Sequence, residues 1–163
     1  MDQLARTYGS QKRFKEAELL EAEALQTSKR ILGMELPLTM MRMANLAATF
    51  RDQKKEEEAE ELDVEEIEIR KRIFGIDHPE TMLAMESLAL AYTRRQRWPE
   101  AIKACEKILD VSERARGTED PKTLAYMVNL AITLNLSSQS TRGEKLMEDC
   151  YNKQRAILGP DHG

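Results

Sequence analysis

The chain has 163 residues, its formal net charge at pH 7 is −4, and charged residues make up 33% of it. A net negative charge is the opposite of the basic footprint of nucleic-acid-binding proteins, and no run approaches the roughly 18 consecutive apolar residues of a membrane span. We therefore expect neither nucleic acid nor membrane as a partner, and the first residues lack the basic and apolar regions of a signal peptide.

A sequence repeat with a period of 42 residues runs through the chain. Glycine, proline and threonine each return at this spacing: Gly33, Gly75, Gly117 and Gly159, then Pro37, Pro79 and Pro121, then Thr39, Thr81 and Thr123. Periods of about 20–50 residues are typical of solenoids and helical arrays, in which each repeat is one supersecondary unit. This periodicity outweighs the single globular domain that the length alone would suggest.

The first element of each repeat is predicted to be an amphipathic helix, which we call helix A. In the second repeat it starts at Pro37, because proline is tolerated in a first helical turn. Apolar residues follow at helical spacing in the second, third and fourth repeats: Met40, Met43, Leu46, Ala47 and Phe50, then Met82, Met85, Leu88, Ala89 and Tyr92, then Leu124, Met127, Leu130, Ala131 and Leu134. Leu4, Ala5 and Tyr8 predict a half-helix before them. The methionines are predicted to fill the core, with an adaptable binding face as the alternative.

The second element is a helix B, which follows a short polar break. It is predicted to begin near Glu16-Ala17, Glu58-Ala59, Glu100-Ala101 and Arg142-Gly143, and to end at Leu32, Phe74, Arg116 and Leu158. The glycine of the repeat follows each end, as glycine does where a helix terminates with a positive φ. Asp120, just before Pro121, is predicted to cap a helix A. No segment alternates like a strand, so the fold class is predicted to be all-α.

The core of helix A resembles that of the tetratricopeptide repeat. The large–small–x–x–aromatic pattern appears as Leu4-Ala5-x-x-Tyr8, Leu46-Ala47-x-x-Phe50 and Leu88-Ala89-x-x-Tyr92, and small residues start helix B at Ala17, Ala59 and Ala101. The segment Phe74-Gly75-Ile76-Asp77-His78-Pro79-Glu80-Thr81-Met82, with Asn45-Leu46-Ala47, looks like the 42-residue variant of kinesin light chains and of sensor arrays in NLR-like signal-transducing NTPases of fungi and bacteria. The fourth repeat departs from the pattern at Leu134, Ser140 and Gly143.

The resemblance implies a right-handed superhelical solenoid of antiparallel helix pairs. We expect one array over residues 1–163, with about four repeats: 1–33 (partial), 34–75, 76–117, 118–159, and the start of another at 160–163. Because the first helix A and the last repeat are incomplete, the chain is interpreted as part of a longer array.

Residues suited to catalysis are sparse in this sequence. His78 and His162 both lie in B-to-A loops beside an aspartate, where ordering the loop is the expected role, and no nucleophile or metal partner accompanies them. Cys105 and Cys150 are expected to be small apolar side chains of a protein from a reducing compartment, which predicts a cytoplasmic location. The sequence predicts no enzyme, no cofactor and no metal site.

A binding surface is expected on the A helices, which in repeat arrays line the concave side. Their faces opposite the core carry the predicted groove residues Met41, Asn45, Ala48, Asp52, Leu83, Ser87, Leu90, Arg94, Asn129 and Ile132. Asn45, Ser87 and Asn129 can bond the backbone of an extended peptide, and the resemblance implies that matching asparagines in kinesin light chains line a cargo groove. The neighbouring leucines and Ile132 predict a partly apolar protein or peptide ligand, or else pack against adjacent A helices.

Two functions remain open at this point. The first is a non-enzymatic scaffold that binds a peptide or partner segment in this groove. The second is a structural, self-associating segment of the sensor array of a larger signalling NTPase. The second rests on apolar residues of the last helix B that no following helix A covers, which predict a homo-oligomer contact: Leu146, Met147, Cys150, Tyr151 and Ile157.

Overall fold

The computed structural model describes residues 7–8, 11 and 13–158, and the elements within these residues are α-helices. They are α1 (Phe14–Ile31), α2 (Pro37–Asp52), α3 (Glu56–Phe74), α4 (Pro79–Arg94), α5 (Trp98–Arg116), α6 (Pro121–Leu136) and α7 (Ser140–Leu158). The all-α prediction is confirmed. Helices α2, α4 and α6 are the predicted A helices, and the others are B helices that begin two residues earlier than predicted. Leu4 and Ala5 of the predicted half-helix lie outside the described residues.

All three A helices begin at a proline, and a side chain caps two of them, α6 and α4, whereas Leu36 gives α2 no side-chain cap. Asp120 Oδ1 accepts hydrogen bonds from the backbone N–H groups of Lys122 (2.9 Å) and Thr123 (3.4 Å), as predicted. His78 occupies the same place before α4, where its Nδ1 accepts from the N–H of Glu80 at 3.2 Å. The expected loop-ordering role of His78 is thereby confirmed, because the imidazole satisfies an N–H that the helix leaves without a partner. His162 lies outside the described residues.

The B helices end at the repeat glycines because the chain there takes a left-handed conformation. Gly33 and Gly117 have φ values of 89° and 92°. A Cβ built on either glycine would meet no atom within 4 Å, so the backbone dihedral, and not lack of space, requires glycine. Gly159 lies outside the described residues.

The A-to-B turns contain a second left-handed position, which the sequence analysis missed. Lys54, Gln96 and Ser138 have φ values of 61°, 57° and 67°, and they also lie 42 residues apart. Residues with a Cβ incur a steric penalty there. The repeat therefore places glycine at one of its two left-handed positions and tolerates other residues at the second.

Replacing Ser138 with glycine is expected to raise the free energy of unfolding by about 1 kcal/mol, because it removes the left-handed penalty at an exposed position. Urea unfolding followed by circular dichroism measures the change. Ser140→Gly, placed inside the first turn of α7, is the control and is expected to destabilise the chain. A loss of stability in Ser138→Gly would contradict the strain assigned to this turn.

The contacts divide the chain into two compact units, Met1–Gly75 and Ile76–Gly163. The boundary coincides with the predicted end of the second repeat. In the first unit the core lies between α1, α2 and α3, and its buried residues are Leu25, Met40, Met43, Leu46 and Ile69. Lys29 Nζ of α1 lies 2.9 Å from Glu65 Oε2 of α3, and Lys55 Nζ, from the residue just before α3, lies 2.7 Å from Glu18 Oε2 of α1.

The second unit is built from α4 to α7 on the same plan. Its core contains the stripes of both A helices, including Met82, Met85 and Met127, so the prediction that the stripe methionines fill the core is confirmed. Ser112 and Thr123 share a buried hydrogen bond of 2.8 Å between α5 and α6. Arg142 of α7 reaches Glu106 of α5 at 2.9 Å, which joins the B helices of this unit.

The aromatic residue of helix A is paired with a basic residue five positions later, at the start of helix B. The charged groups of Arg13, Lys55 and Arg97 lie 4.3, 5.5 and 4.8 Å from the ring centres of Tyr8, Phe50 and Tyr92, respectively. In the fourth repeat, Leu134 and Gln139 replace both members of the pair. The cation–π contact therefore accompanies the turn wherever the aromatic is present.

A double-mutant cycle on Arg97→Gln and Tyr92→Leu is expected to give a coupling energy of about 0.5–1 kcal/mol, the usual value for a partly exposed cation–π pair. Leucine and glutamine are the residues that the fourth repeat has at the equivalent positions, Leu134 and Gln139. The same cycle on the more distant Lys55 and Phe50 should give a smaller coupling. A coupling energy indistinguishable from zero at Arg97 would show that the ring contact contributes nothing.

Candidate functional site

The predicted groove residues of the first unit lie along one side of α2. Met41, Ala48 and Asp52 are exposed and Asn45 is half-buried. Their spacing of three or four residues places them on one face, away from the core methionines of the same helix. This face is accessible to solvent, as a binding surface requires.

In the second unit, five of the predicted groove residues come together around one cavity. They are Leu83, Ser87, Leu90, Asn129 and Ile132, and the cavity between α4 and α6 has a volume of about 450 Å³. Arg94 is exposed on α4 but is not among the lining residues. Leu83, Leu90 and Ile132 remain substantially exposed, so packing between the A helices does not bury them fully.

The floor of the cavity is apolar and uncharged. Buried side chains of α4, α5 and α6 form this floor: Ala89 from α4, Cys105 and Ile108 from α5, and Thr133 from α6. Burial raises the pKa of the Cys105 thiol, so the group is protonated at neutral pH. Thr133 Oγ1 donates to the carbonyl of Asn129 at 2.8 Å, which removes its hydroxyl proton from the cavity. A ligand group that reaches this floor meets aliphatic surface, the Cys105 sulfur and the acceptor oxygen of Thr133, and no charged group.

A polar band crosses the cavity above this floor. The Tyr126 hydroxyl donates to Glu86 Oε1 at 2.6 Å and so links α6 to α4. Burial, followed by the bond to Glu86, raises the pKa of Tyr126 to about 12, so the phenol keeps its proton at neutral pH. Ser87 Oγ donates to the Leu83 carbonyl at 3.0 Å. The Asn129 amide has no hydrogen-bond partner among residues 7–8, 11 and 13–158, so both its donor and its acceptor can meet a ligand.

Glu86 and Tyr126 were missed by the sequence analysis. The residue 42 positions before Tyr126 is Ala84, and the residue 42 positions after Glu86 is Val128. The pair therefore breaks the repeat, and a search for recurring polar positions passes over it. A helical wheel that followed the edge of the core stripe, as well as the opposite face, would have found both residues.

The predicted self-association residues of α7 divide into two groups. Met147, Tyr151 and Ile157 are exposed and Leu146 is half-buried. Cys150 is 2% exposed and its Sγ contacts the Leu124 carbonyl at 3.6 Å. This cysteine packs into the unit against α6, so it is removed from the predicted contact surface.

The described residues contain neither a candidate metal site nor a candidate membrane span. Within residues 7–8, 11 and 13–158, no group of three or more histidine, cysteine or acidic side chains is placed to hold a metal ion. Among the helices formed by these residues, none combines the length and apolarity needed to cross a membrane.

Sequence models of the tetratricopeptide repeat match residues 1–35, 39–80 and 81–156, which is nearly the whole chain. The chain belongs to the tetratricopeptide repeat family. Tetratricopeptide repeats generally mediate protein–protein interactions, and their folds are typically non-enzymatic scaffolds. No curated protein sequence matches the chain.

Solved structures give the subtype of tetratricopeptide fold. Two are of a Podosopora anserina protein assigned as a kinesin light chain with nearly identical TPR-like repeats. One of them, a point variant of that protein, is 23% identical with a TM-score of 0.75 over 96% of this chain and 74% of that one. The other structure is 24% identical with a TM-score of 0.70, covering 99% and 76%. BtubC (BKLC) from P. vanneervenii is 21% identical with a TM-score of 0.71, covering 99% and 65%. The tetratricopeptide repeats of this chain are thus kinesin light chain-like in fold.

Proposed function

We propose that the chain is a protein-binding module whose second unit captures a linear segment of a partner between α4 and α6. The observation that carries this proposal is the cavity of about 450 Å³, because five residues predicted independently from the repeat line it. Pockets that bind ligands are mostly apolar with a few polar groups that fix orientation. The cavity has that composition, with exposed leucines and Ile132 around Asn129 and Ser87.

The geometry suits a segment of protein better than a small reactive substrate. The Cys105 thiol is protonated and buried, and the Tyr126 phenol is held as a hydrogen-bond donor, so neither group is prepared for attack or proton transfer at neutral pH. Asn129 offers the donor and acceptor that a peptide group requires. The site therefore supports recognition without chemistry.

The decisive experiment selects peptides from a random linear display library on the full chain and measures their binding by fluorescence anisotropy. Ile132→Asp is expected to weaken a selected peptide by at least about tenfold, because it places an unpaired charge on the apolar wall. Leu19→Asp is the matched control, since Leu19 is an exposed aliphatic residue of α1 with no part in the cavity. Equal affinity for the Ile132→Asp variant and the parent chain would refute the groove.

A second candidate function is self-association through α7. The observation that favours it is the exposed set Met147, Tyr151 and Ile157, which would be covered in a dimer formed by two copies of this face. Light scattering over a concentration series tests it. Tyr151→Asp should lower the mass measured at high concentration while Leu19→Asp should not. A monomeric mass at all concentrations would exclude this function.

A further inference from the structure

We infer that the segment bound by the second unit carries a basic residue two positions from an aliphatic residue, in extended conformation. This inference rests on the proposed function and specifies its ligand. It follows from the charges and the spacing of the groups that line the cavity between α4 and α6.

The lining of the cavity carries charge of a single sign, and Arg116 of α5, whose positive charge acts on Tyr126, lies outside the lining. Among the lining residues that the structure describes, Glu86 is the one charged side chain, and it is half-buried. Tyr126 occupies one carboxylate oxygen, Oε1, from the α6 side. A carboxylate has about four lone-pair sites on its two oxygens, so Glu86 can accept further hydrogen bonds from a ligand.

The other polar groups of the band add acceptors more than donors. The Ser87 hydroxyl directs its proton to the Leu83 carbonyl and presents only lone pairs. The Tyr126 hydroxyl directs its proton to Glu86. The Asn129 amide supplies the available donor and also an acceptor. An excess of acceptors beside a negative charge is complementary to a lysine or arginine side chain, which carries donors only.

The apolar wall lies about one helical turn from this charge. Leu90 is four residues after Glu86 on α4, a rise of about 6 Å along the helix. Ile132 faces the same cavity from α6, and the floor beneath is Ile108 and Cys105. An aliphatic side chain placed between Leu90 and Ile132 would be buried against uncharged groups.

The basic subsite at Glu86 and the aliphatic subsite between Leu90 and Ile132 determine the spacing of the ligand residues that they bind. Residues i and i+2 of an extended chain point to the same side and are separated by about 6.5–7 Å. That distance matches the rise from Glu86 to Leu90. A basic side chain at Glu86 and an aliphatic one at Leu90 and Ile132 therefore belong to residues two apart, with the intervening side chain directed to solvent.

Arg94 lies one further turn along α4, outside the cavity lining. The positive charge of Arg94 would repel a basic ligand residue at the far end of the aliphatic subsite, and it would attract an acidic one. The positive end of the ligand is thereby directed toward Glu86. Leu83, three residues before Glu86, also lines the cavity, so the direction of the proposed ligand rests on Arg94 alone: its basic residue lies on the Glu86 side of the aliphatic residue held by Leu90 and Ile132.

The test selects peptides from the same random display library on the parent chain and on Glu86→Gln. Glutamine keeps an acceptor for Tyr126 but removes the charge. We expect lysine or arginine enriched two positions from an aliphatic residue on the parent chain and that enrichment lost on the variant. A selected peptide synthesised with its basic residue changed to glutamate should bind the parent chain about tenfold more weakly.

The dependence of peptide affinity on ionic strength distinguishes loss of the Glu86 charge from a structural change in the cavity. The parent chain should lose affinity for the basic peptide as ionic strength rises, and Glu86→Gln should bind it about fivefold to tenfold more weakly with little salt dependence. Tyr126→Phe removes the hydrogen bond but leaves the charge, so it should retain the preference for the basic peptide. Equal loss in Tyr126→Phe and Glu86→Gln would overturn the charge assignment.

The possible failures are distinguishable. Peptides that depend on Ile132 but show no basic enrichment would overturn this inference and leave the groove intact. Peptides that ignore Ile132→Asp would refute the proposed function itself. Enrichment of acidic residues beside the aliphatic position would reverse the inferred ligand chemistry.

Discussion

Replacing Met43 with alanine is expected to lower the free energy of unfolding by about 2–5 kcal/mol. Met43 has no exposed surface and lies in the core of the first unit. Its four buried neighbours come from all three helices of that unit: Leu25, Met40, Leu46 and Ile69. Truncation removes the apolar area of the side chain and leaves a cavity that close-packed neighbours only partly fill.

Two variants show whether burial is the cause. Met43→Leu keeps most of the volume and should cost less than about 1.5 kcal/mol. Met41→Ala removes the same side chain two residues away on α2, where it is 46% exposed, and should change stability by about 0.5 kcal/mol or less. Urea unfolding followed by circular dichroism gives all three values. Similar losses for Met41→Ala and Met43→Ala would contradict the assigned core.

Replacing Gly143 with alanine is expected to lower the free energy of unfolding by about 1–3 kcal/mol, although alanine is the better helix former. A Cβ at this position would lie 2.0 Å from Asn135 Oδ1 and 2.8 Å from the Ala131 carbonyl oxygen. The amide can rotate away, but the carbonyl belongs to the backbone of α6. The α6–α7 pair must therefore separate to admit one methyl group.

The matched variant is the pair Gly143→Ala with Asn135→Ala. It removes the flexible obstruction and leaves the backbone one, so only part of the lost stability should return. Thermal unfolding by differential scanning calorimetry measures both variants. If Gly143→Ala instead raises stability by about 1 kcal/mol, the gain expected from helix propensity alone, the close approach of these helices is wrong.

The helices and the core follow almost completely from the sequence because the repeat supplies each signal several times. Pro79 and Pro121 mark the starts of A helices, Gly75 and Gly117 mark the ends of B helices, and the apolar stripe between these points has one period. Because these markers recur in several repeats, the boundaries and the buried face of each helix can be predicted with less ambiguity than those of a single helix. Comparing the repeats also showed that Gly143 replaces the alanine of the other repeats. That Asn135 lies where a Cβ at this position would be could be seen only in the structure.

The cavity could be predicted only in part, for the opposite reason. Ser87 and Asn129 were found because polar residues recur there at the repeat spacing. Glu86 and Tyr126 occur in single repeats, so no recurrence reveals them, and their hydrogen bond depends on the approach of two helices distant in sequence. Cys150 shows a related difficulty, because an apolar residue in the last helix can face either the unit or the solvent.

The paired aromatic and basic residues have a consequence for protein engineering. Tyr92 and Arg97 are five residues apart on either side of a turn, and the fourth repeat replaces both together. A chimera that joined helix A of the fourth repeat to helix B of the third within the A-to-B turn would place Leu134 before Arg97 and leave the arginine without its ring. Recombination points for hybrid arrays therefore belong in the B-to-A loops, where each repeat keeps its own pair.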